Sequence, residues 1–205
     1  MSTPTAVKRL DLTMVQGTTF KVVITWETTP IVYREITGVT QGAPAVITCL
    51  AHGVPDGWRV AIVGVKGMTQ LNAKNTPPEE EDFIRATKVS DNQIELNEVI
   101  TAGYSAYSSG GFVMYYTPAL LPGFEARMSI KDRAGGTELL RLDTDNTRIT
   151  LDDTLGTVLL TVSATDTAAL TWTKGVYDLE MVSPAGEVTA ILTGTVTVKK
   201  EVTSA

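Results

Sequence analysis

Apolar and polar residues alternate along several short segments of the chain. Alternation with a period of two predicts strands that have one buried face and one exposed face. The clearest alternating segments are residues 10–14, 20–26, 124–130, 158–162 and 177–181. Turns rich in Gly, Pro and Asp follow them, as at residues 132–136 and 184–186. Short strands at this spacing, joined by such turns, are typical of a β-sandwich.

One segment near residue 165 has a helical pattern instead. Ser163 is a favourable N-cap, and Asp166 occupies the position at which a capping box places an acidic side chain. The residues from Thr167 to Leu170 continue the pattern for about one turn. We therefore predict a short helix that crosses between the two sheets of the sandwich.

The middle of the chain, from about residue 36 to residue 114, has closely spaced glycines and shorter apolar runs. Two Thr-Pro pairs, Thr29-Pro30 and Thr117-Pro118, bracket this region. Proline cannot donate to a sheet ladder, so we expect each pair to end a strand. Further short strands are predicted at residues 36–39, 45–48, 59–63 and 93–96.

These boundaries predict two domains. Residues 1–30 together with residues 119–205 have a suitable length for one sandwich, and residues 31–118 form a smaller module inserted in an early hairpin. Exposed hairpin tips tolerate insertions because little buried backbone is disturbed there. With the insert removed, we expect segment 20–26 to pair with segment 124–130.

Composition and charge narrow the classes of function. The chain has 205 residues, 43% of them hydrophobic, and a net charge of −6. It has no basic patch of the kind that nucleic-acid binders use, and no apolar run approaches the ~20 residues that span a bilayer. The N-terminus, MSTPTAVKRL, has no apolar signal core, so we expect synthesis in the cytoplasm. The single cysteine excludes an internal disulfide framework.

The residues that could carry chemistry are few. His52 is the only histidine and stands three positions after Cys49, the only cysteine, without a second pair of metal ligands. We interpret His52 as a turn residue and Cys49 as a small apolar residue. Asp143 and Asp145 resemble the start of a calcium loop, but the Gly at the sixth position and the Glu at the twelfth are missing. With Asp152 and Asp153, they are explained as turn residues. We predict no enzyme activity, no metal and no cofactor.

The strongest local charge is the run Glu79, Glu80, Glu81 and Asp82. Most such runs are only solvated, but this one could also dock in a basic groove of a neighbouring subunit. We therefore predict it as a partner contact.

Aromatic side chains give a second set of candidate contacts. Tyr104 and Tyr107 flank Gly-rich turns and are predicted to be exposed partner contacts. Trp26 lies on the apolar face of its segment and is predicted to be in the core. The other aromatic candidates for stacking on a sugar are Trp58, Trp172, Tyr115 and Tyr116.

The inserted region resembles a known module. Ile36-Thr37-Gly38-Val39, Ala51-His52-Gly53, Gly57-Trp58-Arg59-Val60 and the stretch from Gly67 to Asn72 are similar to the small β-barrel-like module named for the first catalytic-cysteine half-domain of ubiquitin-activating enzymes. Residues 90–96 and 103–111 fit its closing half. The sequence departs from the pattern at residues 75–82, where a Pro-Pro corner and the acidic run lengthen a usually tight hairpin. Copies of this module occur in phage tail proteins without ubiquitin chemistry.

The flanking regions resemble immunoglobulin-like domains of phage baseplate and tail proteins. The resemblance rests on residues 17–26, 124–132, 163–170, 175–180 and 192–203. It implies an all-β fold, an immunoglobulin-like β-sandwich with a small β-barrel-like domain inserted in an early hairpin.

The two resemblances together imply a structural component of a tailed-phage virion. We expect a tail, neck or baseplate adaptor that is made in the cytoplasm of the bacterial host and present in several symmetric copies. Its partners would be other virion proteins, with no nucleic acid and no membrane. A capsid decoration protein and a host-glycan or receptor-binding module remain as alternatives.

Overall fold

The computed structural model describes residues 7–202, and the chain is almost entirely β-structure, as predicted. Residues 1–6 and 203–205 lie outside the described part. They include most of the N-terminal segment in which no signal core is predicted, and the last residue of the segment 192–203 that resembles an immunoglobulin-like domain. The strands, in chain order, are β1 (Lys8–Arg9), β2 (Leu12–Val15), β3 (Phe20–Thr25), β4 (Glu27–Glu35), β5 (Gly38–Val39), β6 (Ala45–Thr48), β7 (Arg59–Val63), β8 (Ile84–Ser90), β9 (Gln93–Leu96), β10 (Phe112–Pro118), β11 (Glu125–Lys131), β12 (Glu138–Asp143), β13 (Ile149–Asp152), β14 (Thr157–Val162), β15 (Lys174–Val182) and β16 (Val188–Lys199). One α-helix, α1 (Ala164–Ala168), and two 3-10 helices, Thr69–Leu71 and Glu80–Asp82, interrupt them.

The chain divides into two compact units. The first, here called the sandwich, comprises the chain up to Glu27 and from Pro118 onward. The second, here called the inserted unit, is Thr28–Thr117. The predicted limits were residues 30/31 and 118/119, so the structural limits lie within three residues of them.

The sandwich consists of two sheets. One has the order β1-β16-β15-β11-β12, with β2 also paired to β16, and the other has the order β13-β14-β3. In the immunoglobulin arrangement the second strand pairs with the fifth and the third pairs with the sixth. The pairs β3-β14 and β11-β15 correspond to these two pairings. The N-terminal strands differ, because β1 and β2 both run parallel to β16 rather than beside β3.

A continuous apolar core lies between these two sheets. Its fully buried side chains include Met14, Leu121, Met128, Ile130, Leu142, Val158, Leu160, Val162, Leu179, Met181 and Val196. Tyr177 is also buried, and its hydroxyl donates to the Leu10 carbonyl oxygen at 2.7 Å. Burial raises the pKa of this phenol to about 12. Gly194 allows Leu10 to approach β16, because a Cβ at residue 194 would collide with the Leu10 carbonyl.

The predicted pairing of segment 20–26 with segment 124–130 is wrong. β3 pairs with β14, and β11 pairs with β12 and β15, so the two segments lie in different sheets. Both turn apolar side chains into the same core, Phe20 from β3 and Met128 from β11. Alternation specifies the buried face of a strand but not its neighbours in the sheet.

The predicted short helix is present. Its N-cap is Ser163, whose hydroxyl accepts the N–H of Asp166 at 3.1 Å. The helix lies between β14 and β15 in the chain, which belong to different sheets, so it crosses between the sheets as expected.

The first Thr-Pro pair does not end a strand, which corrects the prediction. β4 passes through Thr29 and Pro30 and continues to Glu35. This is tolerated because β4 is a terminal strand of its sheet, where one side of the strand has no ladder partner to which an N–H must donate. The second pair does end its strand, since β10 stops at Pro118.

The inserted unit has one sheet of seven strands in the order β4-β10-β7-β8-β9-β6-β5. Its two end strands, β4 and β5, follow each other in the chain and are separated only by Ile36 and Thr37. The Ile36 N–H donates to the Gly111 carbonyl, and the Thr37 N–H donates to the Thr48 carbonyl. These two hydrogen bonds extend the pairing of β4 with β10 and the pairing of β5 with β6. Within residues 7–202 the strand path does not close into a barrel.

Candidate protein-interaction surface

The inserted unit has a concave surface, a cleft of about 670 Å³. Side chains of β4, β7 and β10 form its floor, and the loop after the first 3-10 helix forms its wall. Its lining consists of Tyr33, Val63, Gly64, Asn72, Ala73, Asn75, Thr76, Pro77, Pro78 and Met114. The wall is fixed because the Asn72 side-chain amide accepts the Val65 N–H on Oδ1 at 2.8 Å and donates from Nδ2 to the Val65 carbonyl at 3.0 Å.

Two aromatic side chains stand exposed at this cleft. Tyr33 on β4 retains 51% of its accessible surface, and Phe112 on β10 retains 44%. Their rings pack edge to face with centroids 6.3 Å apart. Such a pair in water leaves apolar area that a protein partner can bury, and aromatic side chains are common anchors at interfaces. We call this surface, the cleft together with Phe112, the aromatic cleft.

The acidic run, Glu79–Asp82, directly follows the Pro77-Pro78 wall of the aromatic cleft. Its last residue is not solvated, because Asp82 retains only 8% of its accessible surface. The Asp82 carboxylate accepts the N–H groups of Lys74 at 2.7 Å, Asn75 at 3.2 Å and Glu79 at 3.0 Å. These hydrogen bonds, led by the one from Glu79, lower the pKa of Asp82. Asp82 therefore organises the loop.

The other three carboxylates of the run differ in their engagement. Glu80 forms an ion pair with Arg59, whose guanidinium lies 5.0 Å from the centre of the Phe83 ring. Glu81 accepts the Asn75 side-chain amide at 3.1 Å. Glu79, Glu80 and Glu81 are all exposed. The exposed negative charge beside the cleft therefore comes from the three glutamates, with Glu80 partly neutralised.

The two tyrosines predicted as contacts lie on another loop. The Tyr107 hydroxyl donates to the carbonyl oxygens of Ile36 at 2.9 Å and Gly110 at 3.1 Å, and burial raises its pKa. Tyr104 is half-buried, and its carbonyl accepts the Gln41 side chain at 2.7 Å. The structure does not bring either tyrosine into the lining of the aromatic cleft.

His52 and Cys49 are buried structural residues. His52 accepts the Val54 N–H on Nδ1 at 2.9 Å, so its Nε2 carries the proton that is donated to the Ser90 carbonyl at 2.7 Å. Both ring nitrogens are thus engaged, and the Tyr115 hydroxyl donates to the His52 carbonyl at 2.8 Å. Burial raises the pKa of the Cys49 thiol, which disfavours the nucleophilic thiolate.

The aspartates that suggested a calcium loop form turns. Asp143 accepts the Asn146 N–H at 2.7 Å and pairs with Arg141, also at 2.7 Å. Asp152 accepts the N–H groups of Thr154 and Leu155, each at 2.9 Å. These backbone hydrogen bonds lower the pKa of both carboxyls. Among residues 7–202, no group of three or more His, Cys, Asp or Glu side chains is placed to hold a metal ion.

The aromatic candidates for sugar stacking are mostly inside the two units. Trp58 and Tyr115 retain only 3% of their surface. Trp26 packs against the sandwich core, edge to face with Phe124, and Trp172 also packs there. Tyr116 is half-buried and lies against Phe83. The exposed pair of Tyr33 and Phe112 was not predicted from the sequence.

Comparison of the chain with protein-family models and with curated proteins gives no match. In the part of the chain that the structure describes, no helix has the length and apolar character needed to cross a membrane.

Proposed function

We propose that this chain is a non-catalytic structural component of a tailed-phage virion, placed in the tail, neck or baseplate. The two sequence resemblances support the virion assignment, because both modules resemble parts of phage tail or baseplate proteins. The observation that supports protein binding is the aromatic cleft. Two aromatic side chains there keep about half of their surface in water, and partner contact would bury them.

The chemistry of the cleft indicates the kind of partner surface that fits. Its floor is apolar at Val63 and Met114, so a complementary surface would offer an apolar or aromatic side chain. Glu79 and Glu81 stand exposed beside the Pro77-Pro78 wall, and basic groups on the partner would complement their charge. A virion protein with an apolar anchor flanked by Lys or Arg meets both requirements.

Affinity capture from infected host cells tests this proposal. The tagged full chain is expected to recover tail, neck or baseplate proteins, identified by mass spectrometry. The double substitution Tyr33→Ser with Phe112→Ser is expected to abolish their recovery. The matched control is Val89→Ser, which alters a residue of the same unit that is 53% exposed and does not line the cleft.

Other outcomes would overturn the proposal. Recovery of the major capsid protein alone would identify a capsid decoration protein. Saturable binding of purified host polysaccharide, lost in the same double variant, would identify a receptor-binding module instead. Circular dichroism of each variant separates loss of binding from loss of folding.

A further inference from the structure

The three-stranded sheet of the sandwich has an open edge at β3. In the immunoglobulin arrangement the first strand can lie beside the second and complete that sheet. Here both N-terminal strands pair with β16 in the opposite sheet, so β3 has β14 as its only ladder partner among the described strands. Within residues 7–202, no strand therefore pairs with the outer edge of β3.

The other outer strands of the sandwich carry features that discourage pairing with a further strand. β12 has exposed charges at Glu138 and Arg141, and its ladder with β11 shifts register between Ile130 and Lys131. β13 has only four residues. The N-terminal strands are short, and exposed Lys8 and Arg9 form the whole of β1. Charges, bulges and short length are the usual ways in which proteins protect a sheet edge.

β3 lacks most of these features. It has six residues, it pairs with β14 without a register shift, and it contains no proline. Lys21 is its only charged residue. Val23 on the outer face is 59% exposed, and Val22 and Ile24 on the inner face are only partly buried although they pack against the core. An added strand would cover apolar side chains on both faces.

We infer that β3 pairs antiparallel with β3 of a second copy of this chain. In the register that places Val23 opposite its own copy, Val22 faces Ile24 and Lys21 faces Thr25. Apolar side chains then face apolar ones, and the only charge faces a hydroxyl rather than the second lysine. Because the strand is self-complementary in this register, a second copy fits the edge with two-fold symmetry.

The pairing joins two three-stranded sheets into one sheet of six strands across the two-fold axis. The inference concerns the sandwich alone and goes beyond the proposed function. It does not depend on a place in a virion, nor on the aromatic cleft, which belongs to the inserted unit.

Sedimentation of the full chain over a range of concentrations tests the inference. We expect a species with twice the mass of the 22.0 kDa chain, and we expect Val23→Lys to abolish it. The substituted lysine would face its own copy across the axis, and like charges directly opposite destabilise a strand pair. The control is Val188→Lys, since Val188 is a 50% exposed valine of the sandwich that lies outside β3.

Disulfide trapping tests the register independently of the effect of charge. Val23→Cys is expected to give a covalent dimer on mild oxidation, whereas Val188→Cys is not, and the native Cys49 is fully buried. Lys21→Cys alone is not expected to cross-link, because four residues of strand separate it from its own copy by about 14 Å. Mixing it with Thr25→Cys should give the covalent heterodimer.

Two results would overturn the inference. One is a chain that stays monomeric at every concentration and forms no Val23→Cys dimer. The other is a dimer that persists in Val23→Lys as strongly as in Val188→Lys, since its interface would then lie elsewhere.

Discussion

The core of the sandwich and the loop beside the aromatic cleft of the inserted unit are held by different kinds of interaction. One contiguous apolar cluster, which includes Met14, Met128 and Leu160, lies between the two sheets of the sandwich. Buried polar side chains fix loops in both units, Asp143 and Thr167 in the sandwich and His52, Asp82 and Thr101 in the inserted unit. His52 joins two turns, Asp82 gathers three backbone N–H groups, and the Thr101 hydroxyl donates to the Thr40 carbonyl at 2.8 Å.

Apolar burial stabilises the fold of the sandwich, whereas hydrogen bonds position the candidate surface of the inserted unit. Apolar burial is non-directional, so it stabilises the sandwich without specifying the shape of a loop. A hydrogen bond is directional and fixes the backbone that it joins. The loop that forms the wall of the aromatic cleft contains Lys74 and Asn75, whose N–H groups bind Asp82. The shape of the candidate surface therefore depends on polar contacts, whereas the core of the sandwich depends on apolar burial.

The largest expected effect is that of a cavity in the sandwich core. Met128 is fully buried on β11, and Met128→Ala is expected to lower the free energy of unfolding by about 3 kcal/mol. Urea denaturation measures this loss, and Met128→Leu should lower the free energy by less than about 1.5 kcal/mol. Relative to the wild type, hydrogen exchange in Met128→Ala should accelerate more in the sandwich than in the inserted unit. Equal acceleration in both units would contradict separate cores.

A polar truncation in the inserted unit should have the next largest effect. His52→Ala leaves the Ser90 carbonyl and the Val54 N–H without their partner, and we expect a loss of about 2 kcal/mol. Hydrogen exchange should localise the loss to residues 49–54 and 88–92. The control is Lys88→Ala, which removes an exposed ion pair with Asp91 in the β8-β9 hairpin that also contains Ser90. It should lower the free energy of unfolding by less than about 1 kcal/mol. Matching effects of the two variants would refute the role of His52.

A smaller, pH-dependent effect is expected at Asp82. Its pKa is lower in the folded chain than the ordinary value near 4, so its ionised form stabilises the fold at neutral pH. This contribution is complete above the unfolded pKa and is lost as the pH falls through the folded pKa. The protection factors of residues 72–82 in hydrogen exchange, which take the intrinsic pH dependence of the exchange rate into account, should therefore fall below about pH 4 in the wild type.

The substitution Asp82→Asn isolates this contribution. The variant should show faster exchange of residues 72–82 already at neutral pH, with a weaker dependence on acid. Glu81→Gln is the control, because it alters a neighbouring exposed carboxylate and leaves the three N–H contacts of Asp82 in place. An unchanged acid response in Asp82→Asn would show that other carboxylates govern this loop.

The elements with a strong local pattern could be predicted from the sequence. Alternation identified β2, β3, β11, β14 and β15 and the faces that they bury, and the capping pattern identified α1. The neighbours of β3 could not be predicted, because a strand with one apolar face can satisfy that face in either sheet. The course of β4 through Pro30 also depends on its terminal place in the sheet, which no local pattern reports.

The candidate surface was harder to predict than the fold. Glu79 and Asp82 stand in one acidic run, but Asp82 is buried because backbone groups at Lys74 and Asn75 return to it. Tyr33 and Phe112 come from strands that are far apart in the chain, and exposed and buried aromatic residues look alike in an alternating segment. Both outcomes depend on long-range packing rather than on residue type.

The junction in the sandwich bears on how such a chain can change over evolution. Trp26 and Ala119, which stand at the two ends of the interruption, are joined by a hydrogen bond of 2.9 Å from the Ala119 N–H to the Trp26 carbonyl. The backbone of the sandwich itself therefore holds together the two points between which the inserted unit interrupts it. Any module whose two termini lie equally close could replace the present one by a single recombination event. The sandwich would keep its core while the inserted unit changed as a whole.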